Sequence, residues 1–208
     1  FSCLIAGGGS LSEGHAMKYG KEWLNIANEA LSMVSSHQLA EMNDGSTESG
    51  YVETLLPRAV EDVYATLDFY SIAITEEVPR LDDSHPLYRY RYAMPENSAK
   101  VLKITTFPPD VEWELSEGCI CTDACRVIVK YVKLPESPES MPPIARTLVA
   151  YRLASLLASP ISHDDNLVSM LRSEYQSALS TAITLTTAER FQKDRGMPFW
   201  TEDEGEDC

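Results

Sequence analysis

Three cysteines close together are the residues of this sequence whose type and spacing come nearest to a site for chemistry. Cys119, Cys121 and Cys125 form the pattern C-x-C-x-x-x-C, and three thiolates can begin a zinc or iron–sulfur site. The spacing matches no common metal motif, and no fourth ligand lies nearby in the sequence. A buried cysteine at the start of a strand also packs as a small apolar residue. The cluster is therefore a weak metal-site candidate, and the pattern favours simple packing.

None of the familiar catalytic motifs is present in the sequence. The single glycine run is not followed by G-K-S or G-K-T, as a phosphate-binding loop would be. No G-x-S-x-G elbow surrounds any of the serines. No H-x-x-x-H or H-E-x-x-H pair occurs among the histidines, which are His15, His37, His85 and His163. We therefore predict that the chain is not an enzyme and needs no cofactor.

The sequence is strongly acidic. Its 17 Lys and Arg against 32 Asp and Glu give a formal net charge of −15. Proteins that grip nucleic acid cluster basic residues against the phosphates, so this balance disfavours such a function. It suits a surface that repels DNA or meets a basic partner, and it also suits plain solubility. No apolar run approaches the roughly 20 residues that span a bilayer, so we expect no membrane segment.

The segment from Tyr88 to Tyr92 alternates aromatic and basic residues. This alternation has period two, which predicts a β-strand. Its rings and arginines could also clamp a single-stranded nucleic acid by stacking. The acidity of the chain favours the simpler interpretation, a strand with one aromatic face and one solvated basic face.

Two helices are predicted before residue 70. Over about 19–35, apolar residues recur at helical spacing from Trp23 to Val34, which predicts an amphipathic helix. Pro57 falls within the second pattern, over about 50–69, and predicts a kink or the true start of that helix. The apolar residues of this second pattern come at every fourth position and are Tyr51, Leu55, Ala59, Val63 and Leu67.

Residues from about 71 to 135 predict a small β region. Strand-like segments begin at Tyr88, Val101, Glu112 and Arg126, and prolines punctuate the sequence between them. No long crossover helix separates these strands, so we expect a sheet that is mainly antiparallel.

Two further helices are predicted from about 141 to 193. The third begins at Pro142-Pro143, and we expect Pro160 to end it. Ser162, with Asp165 three residues later, resembles a capping box for the fourth helix. If the fourth helix continues to about Lys193, it is roughly 45 Å long. A small domain seldom needs such a helix, so we expect its far end to reach a neighbouring molecule.

The ends of the chain differ in composition from the rest. Residues 1–16 are rich in Gly and Ser and lack the basic start of a secretory signal, so we expect a disordered leader or a linker introduced by cloning. Residues 194–208 form an acidic tail. The domain between them, 17–193, is predicted to be α+β and mainly helical. We expect a four-helix bundle core with a small, mostly antiparallel β subdomain inserted between helices two and three.

The order of these features resembles the head-to-tail adaptor family of short-tailed bacteriophages, also called tail tubular protein A. Tyr90-Arg-Tyr-Ala-Met-Pro95 resembles the family's Tyr-x-Tyr-x-Leu-Pro turn into a strand. The segment from Met141 to Ala154, MPPIARTLVAYRLA, resembles the family's helix that starts with Met-Pro and continues with Ala-Tyr-Arg-Leu-Ala. The similarity spans about residues 21–191. Pro57 and the cysteine-rich strand depart from the family's pattern.

The resemblance implies a structural virion protein without an active site. Family members assemble as a twelve-fold ring under the portal protein, the tail nozzle protein docks below, and double-stranded DNA leaves the capsid through the ring. The chain is then expected in the neck of the virion, after assembly in the host cytoplasm. It would contact DNA without sequence-specific binding and would have no membrane partner. An acidic channel suits a conduit that must not hold DNA.

Two sets of residues are candidates for docking in such a particle. The candidates for contacts between subunits of the ring lie on the third and fourth helices and are Tyr151, Leu167, Leu171 and Tyr175. The candidates for docking to the portal lie towards the C-terminus and are Phe191, Met197, Phe199 and Trp200.

Two other functions stay open at this point. A head-completion connector of a long-tailed phage would share a helical core and ring assembly with the adaptor. A metal-dependent enzyme or regulator would use Cys119, Cys121 and Cys125 as ligands. Metal analysis of the purified protein distinguishes this last function from the first two.

Overall fold

The computed structural model describes residues 20–83, 85–162 and 164–195, with side chains as far as residue 188. These residues form an α+β structure of four helices and two antiparallel three-stranded sheets. The helices are α1 (Leu24–Met33), α2 (Thr47–Thr66), α3 (Pro143–Ser162) and α4 (Asp165–Arg195). The strands all lie between α2 and α3 in the chain and are β1 (Ile74–Glu77), β2 (Tyr90–Ala93), β3 (Ser98–Phe107), β4 (Trp113–Ser116), β5 (Cys119–Thr122) and β6 (Arg126–Lys133).

Helix α3 lies at the centre of the helical part and contacts α1, α2 and α4. Its buried residues occupy runs of consecutive positions, 148–150 and 153–155, and therefore cover more than one face of the helix. A helix that is apolar on several faces is buried by its neighbours rather than lying at the surface. The alanines of α3, such as Ala145 and Ala154, leave room for those neighbours to pack closely.

The predicted apolar stripe of α1 is confirmed by its burial. The six stripe residues all lie in one core cluster and are Trp23, Ile26, Ala27, Ala30, Leu31 and Val34. The side chain of Asn28, within α1, holds the loop that follows the helix. Its amide group donates to the carbonyl of Leu39 at 3.0 Å and accepts from the N–H of Leu39 at 2.7 Å. This pair of bonds closes the loop over the buried stripe.

Helix α2 begins at Thr47, ten residues before Pro57, which was one predicted start of this helix. The hydroxyl of Ser46 accepts a hydrogen bond from the N–H of Ser49 at 3.1 Å, which caps the first turn. Pro57 lies inside the helix, so the prediction that it could mark the start is wrong. The carbonyl that loses its partner belongs to Glu53, whose side chain is exposed, so water can reach that part of the helix.

The buried face of α2 differs from the predicted row of every fourth residue. Tyr51 is exposed and Leu55 is half-buried, whereas Val52, Leu56 and Val60 are buried. Four residues advance a helix by about 400°, so a strict four-residue row drifts by about 40° at each step. Over the length of α2 this drift carries the beginning of the row out of the core.

The connection between α3 and α4 corrects two predictions. Helix α3 continues through Pro160 to Ser162, so Pro160 does not end it. The cap of α4 is Asp164, whose carboxylate accepts from the N–H groups of Asn166 and Leu167 at 2.9 and 3.4 Å. The hydroxyl of Ser162 instead donates to the carbonyl of Ala158 at 2.7 Å and belongs to the last turn of α3. A carboxylate also suits the positive end of the helix dipole better than a hydroxyl does.

The β region contains two sheets where the sequence predicted one. The strand orders are β1-β6-β3 and β2-β5-β4, and every pairing between these strands is antiparallel. Side chains from both sheets share a second, smaller core, as a sandwich requires. This core contains Val78, Tyr92, Ile120, Val127, Val129 and Tyr131. The other face of the first sheet joins the helical core through Val132.

Candidate functional site

The cysteine cluster lies on and beside β5. The thiols of Cys119 and Cys121 are free, Cys119 is half-buried and Cys121 is buried. Cys125 lies in the segment that leads into β6, and its backbone N–H donates to the carbonyl of Phe107 at 2.9 Å. Within the described residues, no group of three or more His, Cys, Asp or Glu side chains could hold a metal ion.

The surroundings of Cys121 favour its protonated form. Burial raises the pKa of the Cys121 thiol, and the nearby guanidinium of Arg91 only partly opposes this shift. Arg91 lies directly opposite Cys121 in the pairing of β2 with β5. A thiol that keeps its proton is a poor nucleophile and a poor metal ligand, which favours a packing role for Cys121.

Two tyrosines of the alternating segment, Tyr90 and Tyr92, are turned into the sandwich. Tyr92 is buried, and its hydroxyl donates to the carbonyl of Ala124 at 2.8 Å. The guanidinium of Arg80 covers the ring of Tyr90 at 4.9 Å. On the opposite face, Arg91 pairs with two carboxylates, those of Asp83 and Glu117. The rings of Tyr90 and Tyr92 and the charge of Arg91 are already engaged, which supports the interpretation as an ordinary strand.

The four predicted subunit-interface residues all pack against the helical core of a single chain. Leu171 and Tyr175 are buried members of that core, and Tyr151 and Leu167 are half-buried beside it. Tyr175 also forms part of a junction of three helices. The guanidinium of Arg152, on α3, donates to the Asp62 carboxylate of α2 at 2.6 and 2.8 Å and lies 5.3 Å from the ring of Tyr175 on α4. Residues used in this way hold α2, α3 and α4 together.

The exposed side of α4 carries a different set of residues. From Tyr175 to Thr187, thirteen residues in a row have no charged side chain. Two large apolar residues within this stretch are exposed, Ile183 at 45% and Leu185 at 53%. We call the exposed residues of 176–187 the uncharged surface of α4. Depletion of charge together with exposed apolar area is typical of the centre of a protein–protein interface.

The hydroxyl groups of the uncharged surface bond to the helix that carries them. Thr181 and Thr184 donate to the carbonyls of Ser177 and Ser180 at 3.1 Å, and Thr187 donates to that of Ile183 at 2.7 Å. Because their hydrogens already have acceptors, covering these side chains with another protein leaves few donors unsatisfied. The surface is therefore polar in composition but can be desolvated at little cost.

The predicted portal-docking residues give no geometry to interpret. Phe191 lies in the last turns of α4, where only the backbone is described. Met197, Phe199 and Trp200 lie outside the described residues, as do residues 1–19.

A second exposed apolar group lies at the edge of the β region, and the sequence did not single it out. Trp113 and Leu115, on β4, are 43% and 53% exposed. A hollow of about 620 Å³ lies beside Trp113, lined by residues 103–106, 109–113 and Tyr88. The alternation of Glu112-Trp-Glu-Leu115 predicted a strand here, but nothing in the sequence tells that this strand lies at an edge.

No known family model matches this chain, and no curated protein matches it. Among the helices in the described part, none is both long enough and apolar enough to cross a membrane.

Proposed function

We propose that this protein is a structural virion protein, a head-to-tail adaptor that forms a ring between the portal protein and the tail nozzle of a short-tailed bacteriophage. The support from the sequence is the resemblance over about residues 21–191, strongest from Met141 to Ala154. In this proposal the chain has no active site and works by packing and docking. It belongs to the neck of the virion and assembles in the host cytoplasm.

The proposal includes a finer description of the architecture. The four helices form a bundle around α3, and the β region is an insertion into that bundle. The contacts of α3 with α1, α2 and α4 support the bundle. The position of all six strands between α2 and α3 in the chain supports the insertion. Such an arrangement leaves the helices to build the ring and the strands to project from it.

The observation that carries the proposal is the uncharged surface of α4. This helix has 31 residues, against 20 for α3, so it is about 16 Å longer than the helix it packs against. A ring is built from heterologous contacts, in which two different surfaces of each subunit meet. Ile183 and Leu185 are two positions apart, which places them about 200° apart around the helix. Each flank of α4 thus offers one exposed apolar residue to a different neighbour.

The proposed contacts with the portal protein, the tail nozzle protein and DNA involve the C-terminal residues and the net charge of the chain. The portal protein would dock at Phe191, Met197, Phe199 and Trp200. The tail nozzle protein would dock on the opposite side of the ring. Double-stranded DNA would pass through the channel without sequence-specific binding, because a chain of net charge −15 repels phosphates. A channel surface found to be basic would contradict this last part.

Electron microscopy of the purified full-length chain, alone and mixed with the portal protein, tests the proposal. We expect twelve-fold rings on the portal, and native mass spectrometry should count the subunits. A chain that stays monomeric and does not bind the portal would overturn the proposal.

A pair of substitutions tests whether the subunits of the ring contact each other through the uncharged surface of α4. Leu185→Lys should abolish ring formation, because it places an unpaired charge in the centre of the contact, while the circular dichroism spectrum stays that of the folded chain. The matched control is Leu87→Lys, which introduces the same charge at a residue that is 77% exposed in the β region. This control should form rings as the unaltered chain does.

A further inference from the structure

We propose that the open edge of β4 is a docking site for an extended segment of another protein, in which apolar and basic residues alternate. The segment would add a fourth strand, antiparallel to β4, to the sheet β2-β5-β4. This proposal does not depend on the ring, since it rests on the backbone, side chains and charges of the β region.

The backbone of β4 presents hydrogen-bonding groups at this edge. A two-residue turn, Glu117-Gly118, joins β4 to β5, and both residues have positive φ, 51° and 75°, as a type I′ hairpin turn requires. In such a hairpin, Ser116 and Cys119 exchange hydrogen bonds, and so do Glu114 and Cys121 two residues further on. The N–H and C=O groups of Trp113 and Leu115 therefore point away from β5, towards the open edge.

The inner side of this edge is apolar. Leu115 lies directly opposite Ile120 in the strand pairing, and Ile120 lies opposite Tyr92. Ile120 and Tyr92 are buried in the core of the sandwich, so Trp113 and Leu115 share the inner face but remain partly uncovered. An added strand would place apolar side chains directly beside them, next to the hollow that Trp113 lines. The gain is the removal of exposed apolar area from water.

The outer side of the same edge is acidic. Among the described residues, neither Glu112 nor Glu114 takes part in an ion pair, although both are exposed. Their charge already acts on Tyr88, whose pKa is raised first by burial and then by Glu114, Glu112 and Asp123. Lys103, beyond the hollow, is the basic side chain that also lines this region. An added strand would place the residue opposite Glu114 at the closest side-chain spacing of an antiparallel pair, which favours Lys or Arg.

The negative charge of β4 also disfavours binding of a second copy of this chain at its open edge. Two β4 strands paired antiparallel about Glu114 would set two carboxylates directly opposite each other, which is destabilising. The other acidic edge strand, β1, differs because its carboxylates are engaged. Glu76 accepts from the hydroxyl of Tyr131 at 3.0 Å, and Glu77 pairs with Arg126 at 3.2 Å. The unpaired carboxylates of β4 therefore select a basic partner at this edge.

The first test measures binding of a synthetic peptide of ten residues that alternates valine and lysine, by isothermal titration to the full chain. We expect saturable binding with one peptide per chain. The double variant Glu112→Lys/Glu114→Lys should weaken binding about tenfold or more and should instead bind a peptide that alternates valine and glutamate. Its matched control is Glu53→Lys/Glu174→Lys, which makes the same change of net charge at exposed residues of α2 and α4. Equal loss in the control would show general attraction to an acidic protein and overturn the proposal.

The second test separates strand addition from attraction between side chains. In the proposed register, the peptide's valines use their N–H groups to bond to β4, whereas the N–H groups of its lysines point outwards. Methylation of the valine nitrogens should weaken binding about tenfold or more, because it removes those hydrogen bonds. Methylation of the lysine nitrogens should leave binding within about twofold. Equal effects of the two methylations, or no binding of the parent peptide, would overturn the proposal.

Discussion

The helical part and the β region of this protein bury their side chains in different ways. The helical core is continuous and almost wholly apolar, with large side chains such as Trp23, Leu148 and Leu153 fully buried. The core of the β region is smaller, and the hydroxyl groups of its tyrosines donate hydrogen bonds. Tyr92 and Tyr131 bond to Ala124 and Glu76. Apolar packing thus dominates in the helices, with one charged junction at Arg152 and Asp62, whereas the strands combine packing with specific polar contacts and leave apolar side chains at an open edge.

The largest expected effect comes from the centre of the helical core. Leu153→Ala should lower the free energy of unfolding by about 3 kcal/mol, because α3 is enclosed by three helices and cannot collapse into the cavity. Urea-induced unfolding followed by circular dichroism measures this loss. Leu87→Ala, at an exposed residue of the β region, is the control and should change stability by less than about 0.5 kcal/mol. A loss below 1 kcal/mol for Leu153→Ala would mean that tight packing around α3 does not dominate the stability of the helical part.

A smaller loss is expected at the charged junction between α2 and α3. Asp62→Ala removes the carboxylate that Arg152 contacts and should cost about 2 kcal/mol, because a half-buried guanidinium loses charge-assisted hydrogen bonds. Glu61→Ala, at the adjacent exposed position, is the matched control and should cost less than about 0.5 kcal/mol. If the two variants unfold at the same urea concentration, the junction contributes nothing.

Tyr92→Phe tests whether polar contacts matter in the β region. The change removes only the hydroxyl that donates to Ala124 and leaves that buried carbonyl without a partner. We expect a loss of about 1 kcal/mol in the free energy of unfolding. An unchanged midpoint in thermal and urea unfolding would mean that apolar packing dominates in the strands as well.

Tyr64→Phe is the matching change in the helical core and has the smallest expected effect. The hydroxyl of Tyr64 is buried and has no hydrogen-bond partner within the described residues. Its removal should leave stability unchanged or raise it by up to about 1 kcal/mol, because a polar group is no longer buried without a partner. A loss of 1 kcal/mol or more would reveal a partner for this hydroxyl and weaken the contrast between the two regions.

The pH dependence of Tyr64→Phe gives a second measurement of the same group. Burial raises the pKa of the Tyr64 hydroxyl well above its usual range. The unfolded chain therefore loses this proton first, so the stability of the unaltered chain falls as the pH rises above about 10. The variant should lose less stability above pH 10 than the unaltered chain.

The helices were predictable from the sequence where the spacing of apolar residues is local. The stripe from Trp23 to Val34 lies in the core as expected, since a helix of period 3.6 fixes which residues share a face. Two of the errors come from prolines. Pro57 and Pro160 both lie inside helices, because packing against the rest of the core outweighs the loss of one backbone hydrogen bond.

The β region was predictable only in part, because strand pairing joins residues far apart in the chain. Segments at Val101, Glu112 and Arg126 were recognised by composition, and they overlap β3, β4 and β6. Ile74–Glu77 was missed, since only its pairing with β6 makes it a strand. No feature of the sequence around β4 indicates that it is an edge strand. The exposure of Trp113 and Leu115, and with it the proposed docking site, therefore could not be read from the sequence.

Ionic strength should hardly affect a contact made through the uncharged surface of α4. Salt screens charges over about 8 Å at physiological concentration, and a surface without charges offers nothing to screen. Binding at the proposed β4 site should respond in the opposite way, because Glu112 and Glu114 would attract a basic strand less strongly as salt rises. In the two proposals, one chain carries a contact that tolerates salt beside one that responds to it. An assembly built on the two proposed contacts would release the partner at β4 as the ionic strength rises and would keep the partner at α4.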